Sequence, residues 1–502
     1  MSPIKSTFTP IAAALLLGFG SLAANAAATI EISSRDAAGV GFNDPTPVLP
    51  VGGNPGLTLG EQRYNVYRYV ADIWQQNLQS DVAIKVSAGW EALTCTATSA
   101  TLGSAGAWNI WHDFSGGAAG TWYPQALANK LSGVNLTAGV PDDGSGYGNV
   151  DIKTQFNVNL GNPGCLDGSP FYLGLDGNAG TQVNFVETLL HELGHGLGFS
   201  VLSVQTSTGK RINADGSAYA DDGLPSIWEG NMYDNTAGKT WLAMTSLERK
   251  ASAINPLKLV WIGSNGVTGA ADVLGPVPSI KVTTPVPGIS GFYEYNSAAF
   301  GPAVTNPGAF GTFAVVAAQA PVPPATVAPG SGCDPFNAAN AAAVAGKVAI
   351  IDRGACSFVI KVKNAQNAGA FGVIIANNAS GAAPSLGGAD PTITIPTVSV
   401  SQADGVKLKQ AVVDAVKYGS RGRPGSVIGA FGQDTSRRAG ADAAGRPMLY
   451  TPNPLVSGSS VSHWDVGAFP NLLMEPAINR DLTIVLGPPK DLTVPLLKDL
   501  GW

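Results

Sequence analysis

His191-Glu192-Leu193-Gly194-His195 sets two imidazoles four residues apart with a glutamate beside the first. On a helix, positions i and i+4 share a face, so both rings can bind one zinc ion while Glu192 reaches the adjacent space. Zinc acidifies a bound water, and a neighbouring carboxylate can take its proton, which is the chemistry of amide hydrolysis on protein or peptide substrates. A catalytic zinc ordinarily has three protein ligands and a water. The remaining histidines are His112 and His463. His112, within WNIWHDF, reads as a loop or core histidine near tryptophans. A carboxylate from Glu229 or Asp222 is the alternative third ligand to His463.

Downstream of the pair, Gly198 suits a helix-ending turn that needs positive φ. In the compact pattern H-E-x-x-H-x-x-G-x-x-H the third ligand would fall at Val201, which cannot ligate, so it must arrive from elsewhere. Ser462-His463-Trp464-Asp465, followed by Asn471-Leu472-Leu473-Met474-Glu475-Pro476, resembles the distal half of leishmanolysin-type metzincins. The terminal DLTVPLLKDLGW is similar to that family's closing helix. The resemblance implies His191, His195 and His463 as zinc ligands, Glu192 as general base and Met474 as the apolar floor of a Met-turn. It covers about 184–201 and 459–502, and the N-terminal part only loosely.

These residues need elements to hold them. Val66, Tyr67, Val70, Ile73, Trp74 and Leu78 recur at helical spacing within 59–78. Strands are expected at 82–86 and 150–160, with helices at 122–131 and, carrying the motif, 181–194. This order is an α+β pattern. After about Gly275 the chain turns rich in Pro, Gly, Ala and Val. Strand (348–352), helix (358–368), strand (372–376) and a later helix (402–416) then form a block with its own alternation. GKVAIIDRGACSF and KVKNAQNAGAFGVIIANN resemble the protease-associated (PA) domain, which has no catalytic set and would act as a lid or substrate-selecting module. The expectation is a zincin-like catalytic domain, 27–277 and 434–502, split by an inserted α/β PA domain at 278–433.

Composition narrows the function classes. The 502 residues carry a net charge of −6 with no long basic run, which argues against an electrostatic nucleic-acid binder. Lys5, the apolar run 11–19 and Ala24-Asn25-Ala26 form a secretory signal peptide, 1–26, and no later stretch is long and apolar enough to span a bilayer. Export places Cys95, Cys165, Cys333 and Cys356 in an oxidising compartment, where two disulfides are favoured. Four cysteines allow three connectivities; neighbourhood suggests Cys95–Cys165 and Cys333–Cys356. Asp142, Asp143, Asp167 and Asp176 invite calcium, but none matches EF-hand spacing, and polar turns are the plainer account. The reading is a secreted zinc-dependent endopeptidase. Its rivals are a zinc hydrolase of non-peptide amides and an exported binding or adhesion protein that uses the PA domain.

Overall fold

The computed structural model describes residues 27–97, 99–139, 149–305, 308–320, 332–379, 383–388, 390–419, 425–479 and 481–502. The expected signal segment and the loop with Asp142 and Asp143 lie outside them.

A mainly parallel sheet with three helices packed about the motif comes first in the chain, and two further helices, Ser246–Ser252 and Ser264–Val273, follow before the second body. Strands β1 (Ile30–Ser34), β2 (Ile84–Ala88), β3 (Trp90–Glu91), β4 (Gly103–Ala107) and β5 (Ile152–Asn157) form one sheet. β1 runs parallel to β2, and β2 and β3 both run parallel to β5. β4 lies antiparallel on the other side of β5, from Gly103↔Phe156 to Ala107↔Ile152. Helix α1 (Leu59–Asn77) opens with a capping box in which Thr58 and Glu61 satisfy each other's backbone N–H. Its apolar stripe is buried: Val66, Tyr67, Val70 and Trp74. The second helix, α2, spans Gln125–Ser132 rather than starting at 122. Pro124 biases the preceding residue toward extended backbone, and Tyr123–Pro124 pairs as a short strand with Ile110–Trp111.

The motif helix α3 runs Phe185–Leu197, starting four residues later than periodicity suggests and ending three later. Val183–Asn184 is spent as a strand beside Phe171–Tyr172, and the Asn184 side chain accepts the Val186 N–H as cap. The glycines at 194 and 196 do not end the helix; they let neighbours come close. A β-carbon on Gly196 would lie 2.3 Å from Ile152 Cγ2, and one on Gly194 would lie 2.7 Å from Met474 Sδ. Gly198 ends it, at φ +122°.

The second body is an eight-stranded sheet. Its strands are β6 (Pro276–Thr283), β7 (Gly291–Glu294), β8 (Asn296–Ser297), β9 (Phe310–Val315), β10 (Val348–Asp352), β11 (Gly372–Ala376), β12 (Thr397–Val400) and β13 (Ile428–Arg438). The order is β7-β6-β13-β9-β10-β11-β12-β8. Because only Tyr295 separates β7 from β8, the two ends of that order are neighbours in the chain, so the sheet curls back on itself. Alternation divides its faces as a period of two requires. Val348 and Ile350 enter one apolar cluster, while Ala349 and Ile351 enter the other. Helix α4 (Ala338–Val344) and helix α5 (Phe358–Asn367) cover the second cluster through Val344, Val362 and Ala365. Helix α6 (Gln402–Ala415) covers the first through Leu408, Ala411 and Ala415.

β6 and β13 pair antiparallel from Pro276↔Arg438 to Thr283↔Ile428, so the chain leaves and returns at adjacent points. These edges lie slightly outside the 278–433 expected from composition. A separate core unites what flanks the block, gathering residues from Ala28 to Leu274 with residues from Leu449 to Leu500. The last helix, α7 (Thr493–Leu500), belongs to it. Cys95–Cys165 and Cys333–Cys356 are the two disulfides. Among the described residues no helix is long and apolar enough to cross a membrane.

Candidate metal centre

Three imidazoles converge where α3 meets the C-terminal stretch. His195 Nε2 lies 3.1 Å from both His191 Nε2 and His463 Nε2. Among the described residues these form the one cluster of three or more His, Cys, Asp or Glu side chains close enough to share an ion. All three are buried.

Each ring is locked by its other nitrogen. His191 Nδ1 lies 2.7 Å from the Leu473 carbonyl, His195 Nδ1 2.7 Å from the Phe199 carbonyl and His463 Nδ1 2.8 Å from the Ser459 carbonyl. A carbonyl oxygen only accepts, so each Nδ1 carries the proton, and each Nε2 turns a lone pair toward the other two. Three facing lone pairs repel unless a cation lies between them. Tetrahedral zinc with bonds of about 2.0–2.1 Å spaces its nitrogens by about 3.3 Å, close to what these rings provide. Backbone carbonyls that fix tautomer and orientation are the usual outer partners of metal-ligating imidazoles.

Electrostatics agree. Burial lowers His191 to about 4 and His463 to about 3, and pushes His195 well down, with the other two rings adding to the effect. The rings are therefore neutral at physiological pH, as ligands must be. Burial raises Glu192 to about 8, against a hydrogen bond from the Ala105 backbone. A positive charge among the imidazoles would favour its carboxylate form.

Gly198 and Met474, both singled out in the sequence, support this geometry together with residues that left no sequence signal. Gly198 turns the chain so that Phe199 N–H reaches the Gly194 carbonyl, which aims the Phe199 carbonyl at His195. Asp491, fully buried, accepts the Leu473 N–H at 2.7 Å and the Thr493 N–H at 2.7 Å, tying the peptide that orients His191 to α7. Val461 holds φ +71°, a strained value for a β-branched residue, two residues before His463. Met474 lies beneath Gly194 and is fully buried. Backbone carbonyls and a distant aspartate have no motif, so only proximity to the ligands reveals them.

The other candidates go elsewhere. Glu229 is fully buried, but its oxygens are taken by Ser203, the Ser226 N–H and Arg211. Asp222 is exposed. His112 sits between Asp113 and the Ala214 carbonyl, edge-on to Trp122. Tyr172 donates to Asp176, and Asp167 accepts the Gly164 N–H; both aspartates serve turns.

The centre opens on a cleft of about 1080 Å³. Gly103, Ser104 and Ala105 of β4 line one wall and Ser457–Ser459 and Pro476–Asn479 others. Among the described residues β4 pairs only with β5, so its second edge is unpaired beside the cleft.

Comparison with known proteins identifies a family within the second body. The PA domain family matches residues 313–408. The chain is 42% identical over 67 residues to Minor extracellular protease Vpr of Bacillus subtilis and 46% identical over 68 residues to Leucine aminopeptidase 2 of Arthroderma otae. Each stretch is 13% of this chain, and they span 8% and 14% of those relatives' lengths. A zinc aminopeptidase from Bacillus subtilis, BSAP, overlays on 40% of the chain and 39% of its own at 18% identity, with a TM-score of 0.20. The chain thus contains a PA domain and shares sequence with peptidases over short stretches.

Proposed function

We propose that this protein is a secreted zinc-dependent endopeptidase of the metzincin type. In this reading His191, His195 and His463 hold the metal, Glu192 is the general base, and residues 27–277 and 434–502 form one catalytic domain around an inserted PA domain. The observation that carries it is the meeting of three neutral, tautomer-locked imidazoles beside a buried glutamate, at an open cleft.

Zinc would supply Lewis acidity to the scissile carbonyl and lower the pKa of water to about 7. The chain's own residues do the rest. Glu192 takes the proton of the attacking water and hands it to the leaving amine. Apart from the Ala105 group that meets Glu192, the outer edge of β4 offers N–H and C=O groups that an extended peptide can pair as an added strand. Such pairing favours a peptide running through the cleft over a small amide. Met474, packed under Gly194, keeps the floor beneath the rings dry and rigid. Export fits the two disulfides and the basic-then-apolar start of the sequence. The PA domain, without a histidine of its own, would select or admit substrates.

The test is chelator-sensitive cleavage of unfolded casein by the full chain, with zinc quantified alongside. Glu192→Gln should remain folded and zinc-loaded while losing at least about a hundredfold in activity, the lower range for general acid–base catalysis. Full activity in that variant would refute the assigned base.

A further inference from the structure

Glu187 stands one helical turn before His191 and lines the same cleft. Four residues at 1.5 Å each put it about 6 Å along the α3 axis from that ligand, the span of about two residues of an extended peptide. Apart from Glu192 and the three histidines, it is the only ionisable side chain among the described residues lining the cleft, which holds no Lys or Arg. Nothing in the wall therefore neutralises it. Asp481, which accepts a hydrogen bond from the Asn471 side chain, adds negative potential.

Resting on the peptidase reading, we infer that Glu187 is a specificity-determining residue that binds a cationic group of the substrate one or two positions from the scissile bond. The cation is an ammonium or guanidinium, carried by a basic side chain or by a free α-amine. An acid in the first turn also complements the helix dipole, which by itself would explain a carboxylate here. Glutamine retains the hydrogen bonding of a first-turn glutamate without its charge, so the two roles separate. Burial, against a hydrogen bond from Asn184 and reinforced by Asp481, raises the carboxyl to about 7, so a bound cation would stabilise its ionised form.

The experiment compares kcat/KM of the zinc-loaded full chain, Glu187→Gln and Glu187→Lys on quenched peptides bearing Lys, Gln or Glu at each position flanking the bond. Every peptide is made with an acetylated and with a free N-terminus. The parent should favour Lys over Gln by about tenfold at one position. E187Q should erase that preference with zinc content unchanged, and E187K should invert it toward Glu. If the preference follows the free N-terminus instead, the cation bound at Glu187 is the α-amine. Cleavage without charge preference, or a preference that survives in E187Q, overturns the inference alone. A zinc-loaded chain that cleaves none of the peptides overturns the peptidase reading and this inference with it.

Discussion

At the scale of single residues, the site depends on which atoms carry protons. His463 adds the third lone pair to a pair that α3 alone could form, so His463→Ala should lose stoichiometric zinc while keeping its secondary structure; metal analysis after dialysis checks this. A variant that binds zinc normally would return the third position to a carboxylate. Glu475, next to Met474, gives a pH test. Burial, against a hydrogen bond from the Leu472 N–H and helped by the charges of Asp481 and Asp465, raises its carboxyl to about 8 from an ordinary 4.5. The folded state holds this proton more tightly than the unfolded chain does. Its contribution to stability is therefore greatest in acid, declines as pH climbs from 4.5 to about 8, and is flat beyond. Glu475→Gln lacks that decline, so its melting temperature relative to the parent should rise between about pH 4 and about pH 9, by thermal unfolding.

At the scale of elements, α3 is held on three sides. Gly196 presses on Ile152 of β5, Gly194 on Met474, and the Trp502 indole N–H donates to the Leu197 carbonyl at 2.8 Å, capping the helix from the other end of the chain. Helix propensity alone predicts that Gly196→Ala gains about 1 kcal/mol. The contact with Ile152 predicts the opposite: overpacking should cost about 1–3 kcal/mol in urea unfolding. The sign decides which effect governs. Periodicity identified this helix but misplaced its start, because Asn184 as cap depends on the strand at 183–184; at the other end Gly198 is the stop its residue type suggests, three residues beyond the Gly194 where the periodic run was ended. The inner strands 348–352 and 372–376 were read to the residue, since strands buried on both faces appear as unbroken apolar runs.

At the scale of the whole molecule, separate cores predict separate behaviour. One core joins both ends of the chain around the imidazoles, while the PA block has its own. Calorimetry should resolve two transitions. A zinc chelator should lower the one belonging to the first core, because a ligand stabilises only the unit that binds it, and leave the other in place. A single transition, or one shift common to both, would show that the two units unfold together.

What the sequence determined by itself was local: two rings and a carboxylate on one helix, the alternation of the PA strands, and the neighbourhood of each cysteine pair. These follow from backbone periods that act within a few turns. Only the tertiary structure decided that the ring at 463 meets the one at 195 across 268 residues, that three carbonyls orient the rings, and that β4 leaves an edge open beside them. Such meetings have no period to reveal them, because they are set by how the apolar faces of distant segments bury one another in a shared core.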